Sequence, residues 1–451
     1  MGRLEVRNGL SNPRKLGMLL ALLMAGSLWF YVQRILIPYQ QADAAARGRP
    51  RGILSDLYPR WVGTRELLLH GRDPYSAEVT REIQTGYYGR PLDPARPSDP
   101  KDQQRFAYPV YVVFLLAPTM GVSFSLLRIG FFWLLWIFSA ASVWLWLRVL
   151  HWKPERTLLM ILIILTLSDF GVVQGSKLQQ LSLLVGFLMA AGALLLMRGN
   201  LFLAGALFAL ATVKPQLTVL ALSWLLLWTL GRWRERQGFF WGSGITLLLL
   251  TGGGEWILPG WIGRFMNGLG AYEQYTGGGS LLDALVGNRA GTVLLILLLL
   301  VTVTIGWFLR KAALDSARFQ LGLAFVFAIT VVVVPMTAPY NHVLLLPAIL
   351  LIVRSWRSIW GAGGLTRFFC ALAVLVFFWP WAVAFALSLA SLALPAADVQ
   401  RAWAVPLWTS LGIPLVILPL LAILFLRLRE AGEFVFRDAP AISAAGSGRR
   451  A

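Results

Sequence analysis

Long apolar runs recur along almost the whole chain, from Leu16 to Leu426, and short segments that carry most of the charges separate them. A helical run of about 20 apolar residues is long enough to cross the hydrocarbon core of a bilayer. Hydrophobic residues make up 57% of the 451 residues and charged residues only 14%, so little sequence is left for a soluble domain. The sequence therefore predicts an all-α integral membrane protein whose chemistry is confined to loops and helix ends.

The basic residues give the chain a formal net charge of +19, but they lie in small clusters at the ends of apolar runs. This distribution is typical of the positive-inside rule, whereas a nucleic-acid-binding face would gather its basic residues in one patch. Cys370 is a single cysteine, and the three histidines are far apart in sequence, so we expect no disulfide and no zinc site. The sequence predicts no nucleic-acid partner, no metal and no other cofactor.

Basic residues in short loops predict the orientation of the chain in the membrane. The N-terminus is expected in the cytoplasm, and a first outer loop is expected at about residues 38–123. Alternation of the later runs predicts about twelve spans within residues 1–430 and a second large outer loop at about residues 252–290. Residues 431–451, rich in Ala, Gly, Ser and Arg, are expected to form a disordered cytoplasmic tail. The residues that place the N-terminus inside are Arg3, Arg7, Arg14 and Lys15.

Two apolar segments do not fit simple crossing helices. Phe106 to Met120 contains two X-Pro breaks, which favour a segment that dips into the membrane over one that spans it. Leu201 to Leu230 has basic residues on both flanks, which predicts a hairpin of two short helices broken at Lys214-Pro215. Each half would reach only about 20 Å, so the tip of the hairpin must lie under water or protein.

The first outer loop carries an acid next to a predicted short helix. Asp56 precedes the stretch Pro59 to His70, and Gly71 follows it. Proline near the first turn and glycine just after the last are typical of helix ends. Such a helix can lie in the membrane interface with its N-terminus toward Asp56, whose ionised carboxylate is suited to take a proton from a hydroxyl. The alternative is that Asp56 only caps the helix.

Two other ionisable residues stand in apolar surroundings. Lys214 lies inside an apolar segment, where a charge costs about 2.5 kcal/mol or more unless it is paired or hydrated, so we expect an anionic partner. His342 follows Tyr340 and Asn341 at the end of a predicted span, and beside Lys214 it would be suited to bind phosphate. The alternatives are a lysine that extends to the interface and a structural histidine.

Further polar residues fall on the same predicted side of the membrane. Glycine triplets at Gly252–Gly254 and Gly277–Gly279 flank two of them and lack the GKS or GKT of a phosphate-binding loop, so they favour a flexible lid. The candidate substrate-binding residues are Tyr108, Gln174, Lys177, Gln179, Gln216, Glu255, Glu273, Tyr340 and Asn341.

The order of these features resembles the GT-C glycosyltransferases that use polyprenyl-phosphate sugars, and among them glycosyltransferase family 87, the group of polyprenol-phosphate-mannose-dependent mannosyltransferases. Four stretches between Ser55 and Pro347 carry the resemblance, in the order of the family. They are SDLYPRWVGTRELLLHGRDPYS, FAYPVYVVFLLAP, QGSKLQQLSLLVGFLMAAGALLLMRGNLFLAGALFALATVKPQ and PYNHVLLLP. The glutamine of the third stretch, Gln174, is displaced from the usual Gly-Gln pair, and the double proline after Tyr108 is single here.

The resemblance implies a GT-C fold with short interfacial helices in the first outer loop. It implies an inverting transfer of one sugar, mannose first, from a polyprenyl-phosphate donor to a lipid or glycan hydroxyl at the outer face of the inner membrane. Asp56 takes the place of the catalytic base, and Lys214 and His342 take places near the donor phosphate. Membrane lipids are the expected surroundings, and no cofactor is implied.

Two other functions fit the same pattern of residues. Broken spans and buried polar groups are also typical of a transporter or flippase, here of lipid-linked sugars. We see no inverted repeat of the two halves, and the candidate polar groups gather at one face, which favours an enzyme. An O-antigen polymerase or ligase-like enzyme is the second alternative, because its large arginine-bearing outer loop would resemble residues 51–105.

Overall fold

The computed structural model describes residues 13–46, 55–93, 95–276, 279–335 and 337–431. Every regular element within these ranges is a helix, so the predicted all-α class is confirmed. A π-helical turn at Val32–Leu36 joins the first two helices, and 3₁₀ segments occur at Ala117–Thr119, Ala211–Val213 and Pro339–Leu345. The α-helices are α1 (Pro13–Tyr31), α2 (Ile37–Ala46), α3 (Tyr58–His70), α4 (Ala77–Tyr88), α5 (Val112–Leu116), α6 (Phe124–Val149), α7 (Arg156–Leu167), α8 (Phe170–Lys177), α9 (Leu181–Met197), α10 (Leu201–Leu210), α11 (Pro215–Leu230), α12 (Trp233–Ile257), α13 (Trp261–Thr276), α14 (Leu281–Val286), α15 (Asn288–Leu309), α16 (Ala317–Val333), α17 (Leu346–Arg354), α18 (Trp356–Trp360), α19 (Gly364–Ala390), α20 (Ala396–Gln400), α21 (Val405–Ser410) and α22 (Ile413–Ala431).

Several of these helices are membrane-span candidates by length and composition. Five helical segments in the described part of the chain qualify, or up to seven if each of two bent helix pairs counts as one span. The bent pairs are α7 with α8, at 51°, and α12 with α13, at 93°. Five further apolar helices of 10–17 residues accompany them. These findings support a membrane protein, while the number of twelve spans and the GT-C fold stay predictions.

Helix α16 lies at the centre of the packing. It is apolar on every side, and nearly all of its residues are buried. A helix that is hydrophobic all round must be covered all round, and α11, α15, α17 and α22 pack against it. The bundle therefore has its core along α16, and the 3₁₀ segment Pro339–Leu345 follows directly from it.

The predicted break at Lys214-Pro215 is confirmed, whereas the hairpin topology stays a prediction. Helix α10 and its 3₁₀ extension end at Val213, and α11 begins at Pro215, which supplies the fixed φ of a first helical turn. Helix α10 packs closely on α12 because Gly205 and Gly242 face the backbone of the opposite helix, where a Cβ atom would clash with Phe239 and Phe202 respectively. This close packing fixes the position of the hairpin tip.

The segment Phe106 to Met120 contains only the five-residue helix α5 and the 3₁₀ turn after it. Their combined length of about 12 Å is far less than the thickness of a bilayer core, which supports the prediction that this segment does not span. Two hydrogen bonds from tyrosine hydroxyls tie the segment to its neighbours. Tyr75 donates to the carbonyl of Tyr108 at 2.6 Å, and Tyr111 donates to the carbonyl of Thr212 at 2.9 Å.

Two segments predicted to be outer loops contain helices. The first glycine triplet, Gly252–Gly254, lies inside α12, where Gly254 packs so closely on Val110 and Trp261 that a Cβ atom would clash with them. Helix α2 extends beyond the predicted start of the first outer loop at residue 38. Helix α8, which carries the candidates Gln174 and Lys177, has Asp169 as its N-cap, accepting from the backbone of Gly171 at 2.8 Å. Residues 277–278 of the second triplet and the predicted tail from residue 432 lie outside the described residues.

Candidate active site

Asp56 is held immediately before α3 by backbone contacts. Its amide donates to the carbonyl of Leu178 at 2.8 Å, which ties the start of α3 to the end of α8. Leu57 is the N-cap residue, no side chain caps the helix, and Gly71 closes the helix in the left-handed region at φ 64°. The predicted helix is thus confirmed, whereas the alternative that Asp56 merely caps it is wrong. The carboxylate remains available for another role.

A single glutamine joins Asp56 to Lys214. The Nε2 of Gln180 donates to Oδ2 of Asp56, and the Oε1 of Gln180 accepts from Nζ of Lys214 at 3.1 Å. The lysine also donates to Oγ of Ser182 at 2.6 Å, and this hydroxyl donates to Oδ1 of Asn341 at 3.1 Å. Five polar side chains from four separate segments therefore form one hydrogen-bonded chain, and the acid and the lysine stand at opposite ends of one carboxamide.

Lys214 is buried without a counter-ion. Its side chain is 5% exposed, and within the described part of the chain no carboxylate lies at ion-pair distance from it. Its ammonium lies 4.6 Å from the ring centre of Tyr340, an aromatic face that attracts cations. Neutral oxygens and a ring only partly replace water around a charge, so the position is suited to receive an anion.

A cavity of about 470 Å³ is lined by four members of this chain, Asp56, Gln180, Lys214 and Asn341. Its walls also include apolar residues, among them Val219, Leu220, Leu269 and Leu299. A cavity lined by both kinds of residue is suited to a ligand that joins a charged head to a hydrocarbon tail. The sequence-predicted residues that line it are Asp56, Tyr108, Lys214, Gln216, Tyr340 and Asn341.

Other predicted residues lie away from this cavity. Lys177 donates to Oε1 of Gln40 at 2.7 Å, and Gln179 donates to the carbonyl of Ser176 at 2.7 Å. Glu255 accepts from the backbone amide of Gly260 at 2.7 Å. Gln174 is on α8 outside the cavity lining, and Glu273 is on α13 with a side chain outside the described part. Of these, the described side chains of Gln174, Lys177, Gln179 and Glu255 are not part of the cavity lining.

His342 does not line the cavity of Lys214. It lines a second cavity, whereas its neighbours Tyr340 and Asn341 line the first. The physical reason is the backbone, since successive residues of a 3₁₀ helix point about 120° apart and Asn341 and His342 therefore face different cavities. The described contacts support a joint site for Asp56 and Lys214 but not for Lys214 and His342.

Sequence reasoning missed several polar residues of the cavity. Gln180 is the most important of them, and its position as the last residue before the buried helix α9 was a usable signal. Arg60, one helical turn after Asp56, lies 4.3 Å over the ring of Tyr108 and donates to the carbonyl of Asp56. The further residues are Asp102, Gln104 and Arg105, which come from a polar stretch without periodicity.

Asp102 adds a second carboxyl group to the lining of the cavity. Its oxygens accept from the amide of Gln104 at 3.0 Å and from the Nε2 of the same residue at 2.8 Å. Burial raises the pKa of this carboxyl above its ordinary value, the bond from the Gln104 amide partly opposes that shift, and the nearby charge of Asp56 adds to it. Asp102 therefore holds its proton to a higher pH than an exposed aspartate does.

A network of ion pairs fixes α3 against α4. Glu66, which is 1% exposed, accepts from Arg72 at 2.8 Å and from Arg65 at 3.0 Å. Both arginines also reach Glu82 on α4, at 3.0 Å and 2.6 Å respectively. This network holds the helix that begins beside Asp56. In the described ranges, no three His, Cys, Asp or Glu side chains are grouped in a way that could hold a metal ion.

Comparison with known proteins identifies the family. The model of glycosyltransferase family 87 matches residues 106–339, which is about half of the chain. The chain belongs to glycosyltransferase family 87. The matched range contains Tyr108, Gln180 and Lys214, whereas Asp56 and Tyr340 lie outside it. No curated protein and no solved structure matches the chain.

Family membership explains much of the geometry. A family 87 glycosyltransferase must bring a sugar donor and a hydroxyl acceptor together, and the cavity offers carboxyl groups, a cation and hydrogen-bonding amides in one place. The membership also favours an enzyme over the transporter that the sequence left open. The resemblance noted from motif order is thereby confirmed at the level of the family.

Proposed function

We propose that this family 87 glycosyltransferase moves one sugar, mannose first among the candidates, from a polyprenyl-phosphate donor to a hydroxyl of a lipid or glycan acceptor. The reaction would take place at the extracytoplasmic face of the inner membrane. One observation carries the proposal: Gln180 links a carboxylate to a buried lysine without a counter-ion in a cavity that also has apolar walls.

Asp56 acts as the general base in this proposal. The bond from Gln180 to Oδ2 orients the carboxylate, and Oδ1 accepts the proton of the acceptor hydroxyl. The acceptor oxygen forms a bond to the anomeric carbon as the bond from that carbon to the phosphate oxygen breaks. The electron pair of the broken bond stays on the phosphate. Attack from the face opposite to the leaving group inverts the anomeric carbon.

Lys214 acts on the leaving group. A phosphate ester leaves with negative charge and does not need a proton, so neutralising that charge stabilises the transition state. The ammonium is already desolvated and fixed by Gln180, Ser182 and the ring of Tyr340, so little reorganisation is required when the charge develops. The apolar wall residues of the cavity are suited to contact the first isoprene units of the donor.

The remaining polar groups are suited to hold sugar and acceptor. Arg60 and Tyr108 form a stacked pair beside Asp56, and Asp102 with Gln104 offers oxygens and an amide to hydroxyl groups. Gln216 and Asn341 complete the polar lining near the lysine. These groups give the site hydrogen-bonding capacity for several hydroxyls, which a sugar requires.

The test is transfer of radiolabelled mannose from a short-chain polyprenyl-phosphate mannose to a membrane lipid extract by the purified protein. We expect the wild type to transfer and Asp56→Asn to lose at least about 100-fold in rate, since a positioned base contributes that much. Glu78→Gln is the matched control, because this acid lies exposed on α4 in the same outer segment, outside the cavity. We expect it to transfer like the wild type.

Each result decides a separate part of the proposal. A folded Asp56→Asn protein with full activity would remove the base from the mechanism. Transfer from a glucose, galactose or arabinose donor but not from mannose would change the sugar and keep the mechanism. Failure of every polyprenyl-phosphate donor would show that the donor class is wrong.

A further inference from the structure

A second cavity, here called the His342 cavity, lies beyond the 3₁₀ segment Pro339–Leu345. Its volume is about 280 Å³, and helices α7, α17, α19 and α22 supply most of its walls. The lining is almost entirely aliphatic and aromatic, and its polar members are Thr166, Asp169 and His342. The proposed sugar transfer uses none of them.

His342 has no hydrogen-bond partner for either ring nitrogen among the described residues, although it is 5% exposed. A buried polar group without a partner destabilises a fold, and proteins nearly always satisfy such groups by a protein atom, a water or a ligand. Because His342 lines the cavity, a group bound there can donate to one ring nitrogen or accept from the other. The histidine therefore marks the point where a ligand would place its polar group.

The charges around the His342 cavity disfavour an anionic head group. Neither lysine nor arginine lines it, and its one ionisable acid is Asp169, which accepts from the amide of Gly171 at 2.8 Å. A phosphate would meet a carboxyl group there and no cation. A neutral hydroxyl can donate to and accept from an imidazole, and it is neither repelled by Asp169 nor in need of a cation.

A further apolar cavity adjoins the His342 cavity. It has a volume of about 480 Å³, lies between α1, α7 and α19, and shares Ile161, Leu165 and Phe378 with the His342 cavity. Its α1 wall carries Leu20 and Leu23, which are each 47% exposed. Helices α1 and α19 are both long and apolar enough to span a membrane, so this neighbouring cavity lies where lipid chains would be.

From these observations we infer that the His342 cavity is a lipid-binding site that takes one hydrocarbon chain from the bilayer through the gap between α1, α7 and α19. A neutral hydroxyl at the end of that chain lies against His342. The site is distinct from the cavity of Asp56 and Lys214, and the inference does not depend on the proposed sugar transfer. A bound chain would support the segment of Tyr340 and Asn341 from the side opposite to the reaction cavity.

The test is photolabelling of the purified full-length protein in phosphatidylcholine vesicles with hexadecanol that carries a diazirine in its chain. Labelled peptides are identified by mass spectrometry. We expect labelling of α7 and α17 that exceeds the labelling of α15, whose exposed apolar residues report non-specific contact with lipid. Unlabelled hexadecanol should compete about fivefold better than hexadecyl methyl ether or hexadecyl phosphate, because one hydrogen bond is worth about that factor.

Two variants make the test specific. In His342→Leu, which keeps most of the volume, we expect labelling to persist while the preference for the alcohol over the ether disappears. Ala373→Phe fills the cavity from α19 and should lower labelling of α7 and α17 several-fold. Leu375→Phe is its matched control, since this residue of α19 is 56% exposed and outside the lining. Circular dichroism and gel filtration establish that each variant is folded.

Three results would overturn the inference. The cavity would not be a lipid site if α7 and α17 were labelled no more than α15. His342 would not be the polar contact if alcohol and ether competed equally in the wild type. Equal or better competition by hexadecyl phosphate would show that the ligand is anionic and would return His342 to a phosphate role. Because the readout is labelling, failure of sugar transfer leaves this test unaffected.

Discussion

Replacing Lys214 by methionine separates the proposed phosphate role from any role in folding. The two side chains have similar length, so the change removes the ammonium and leaves the stem. A hydrogen bond to a charged group is worth about 1.5–3 kcal/mol, which corresponds to a loss of about 10-fold to 150-fold in kcat/KM for the donor. The lysine is buried without a counter-ion, so removal of its charge also relieves a desolvation cost.

We therefore expect the free energy of unfolding of Lys214→Met to rise slightly or to stay nearly unchanged, while its activity falls. The variant leaves Oε1 of Gln180 and Oγ of Ser182 without their donor, which costs about 1–3 kcal/mol for an unsatisfied group. Relief of the buried charge offsets this loss, so we expect Tm within a few degrees of the wild type. Activity should nevertheless fall by at least about tenfold.

The assay measures initial rates over a range of donor concentrations at saturating acceptor, together with thermal unfolding in the same detergent. Lys153→Met is the matched control, because this lysine is exposed in the loop between α6 and α7 and does not line the cavity. A Lys214→Met protein with unchanged kcat and unchanged KM for the donor would refute the reasoning. A fall in activity that merely followed a large fall in Tm would refute it too, since the effect would then be structural.

Three further changes test the geometry of the site and of the bundle. Gln180→Leu cuts the link between Asp56 and Lys214, so we expect kcat to fall about 10-fold to 100-fold with a smaller change in KM, measured by the same transfer assay. A change in KM alone would contradict a positioning role. The raised pKa of Asp102 means that the folded protein holds this proton more tightly than the unfolded chain, so stability falls as pH rises above about 4 through the folded pKa. Asp102→Asn should lose this part of the pH dependence of stability. Measuring Tm against pH for the wild type and the variant detects the difference. Identical profiles would show that Asp102 does not contribute. Gly242→Ala places a methyl group against the backbone of α10 and should destabilise the protein by about 1–3 kcal/mol in thermal unfolding. Gly244→Ala is the control, because open space surrounds that position, and it should not destabilise the protein. Equal effects would show that close packing of α10 on α12 is unimportant.

Local signals predicted several elements well. Pro59 and Gly71 predicted α3 to within one residue of its start, because the preferences of helix ends act over a single turn. The break at Lys214-Pro215 followed from charge on both flanks of an apolar run, and the structure has it between α10 and α11. The glycine triplet at Gly252–Gly254 misled, because the low helix propensity of glycine is a local property whereas the close packing of Gly254 on Val110 and Trp261 is a tertiary one.

The sequence by itself determined that this chain is helical and apolar along its length, and that Asp56 and Lys214 stand out among apolar neighbours. Period, composition and the cost of burying a charge are properties of short stretches, so they can be read without a fold. Only the tertiary structure decided that Gln180 joins Asp56, 124 positions before it, to Lys214, 34 positions after it, and that His342 lines a cavity of its own. Those facts depend on how helices pack and on the direction of each side chain, which no local pattern specifies.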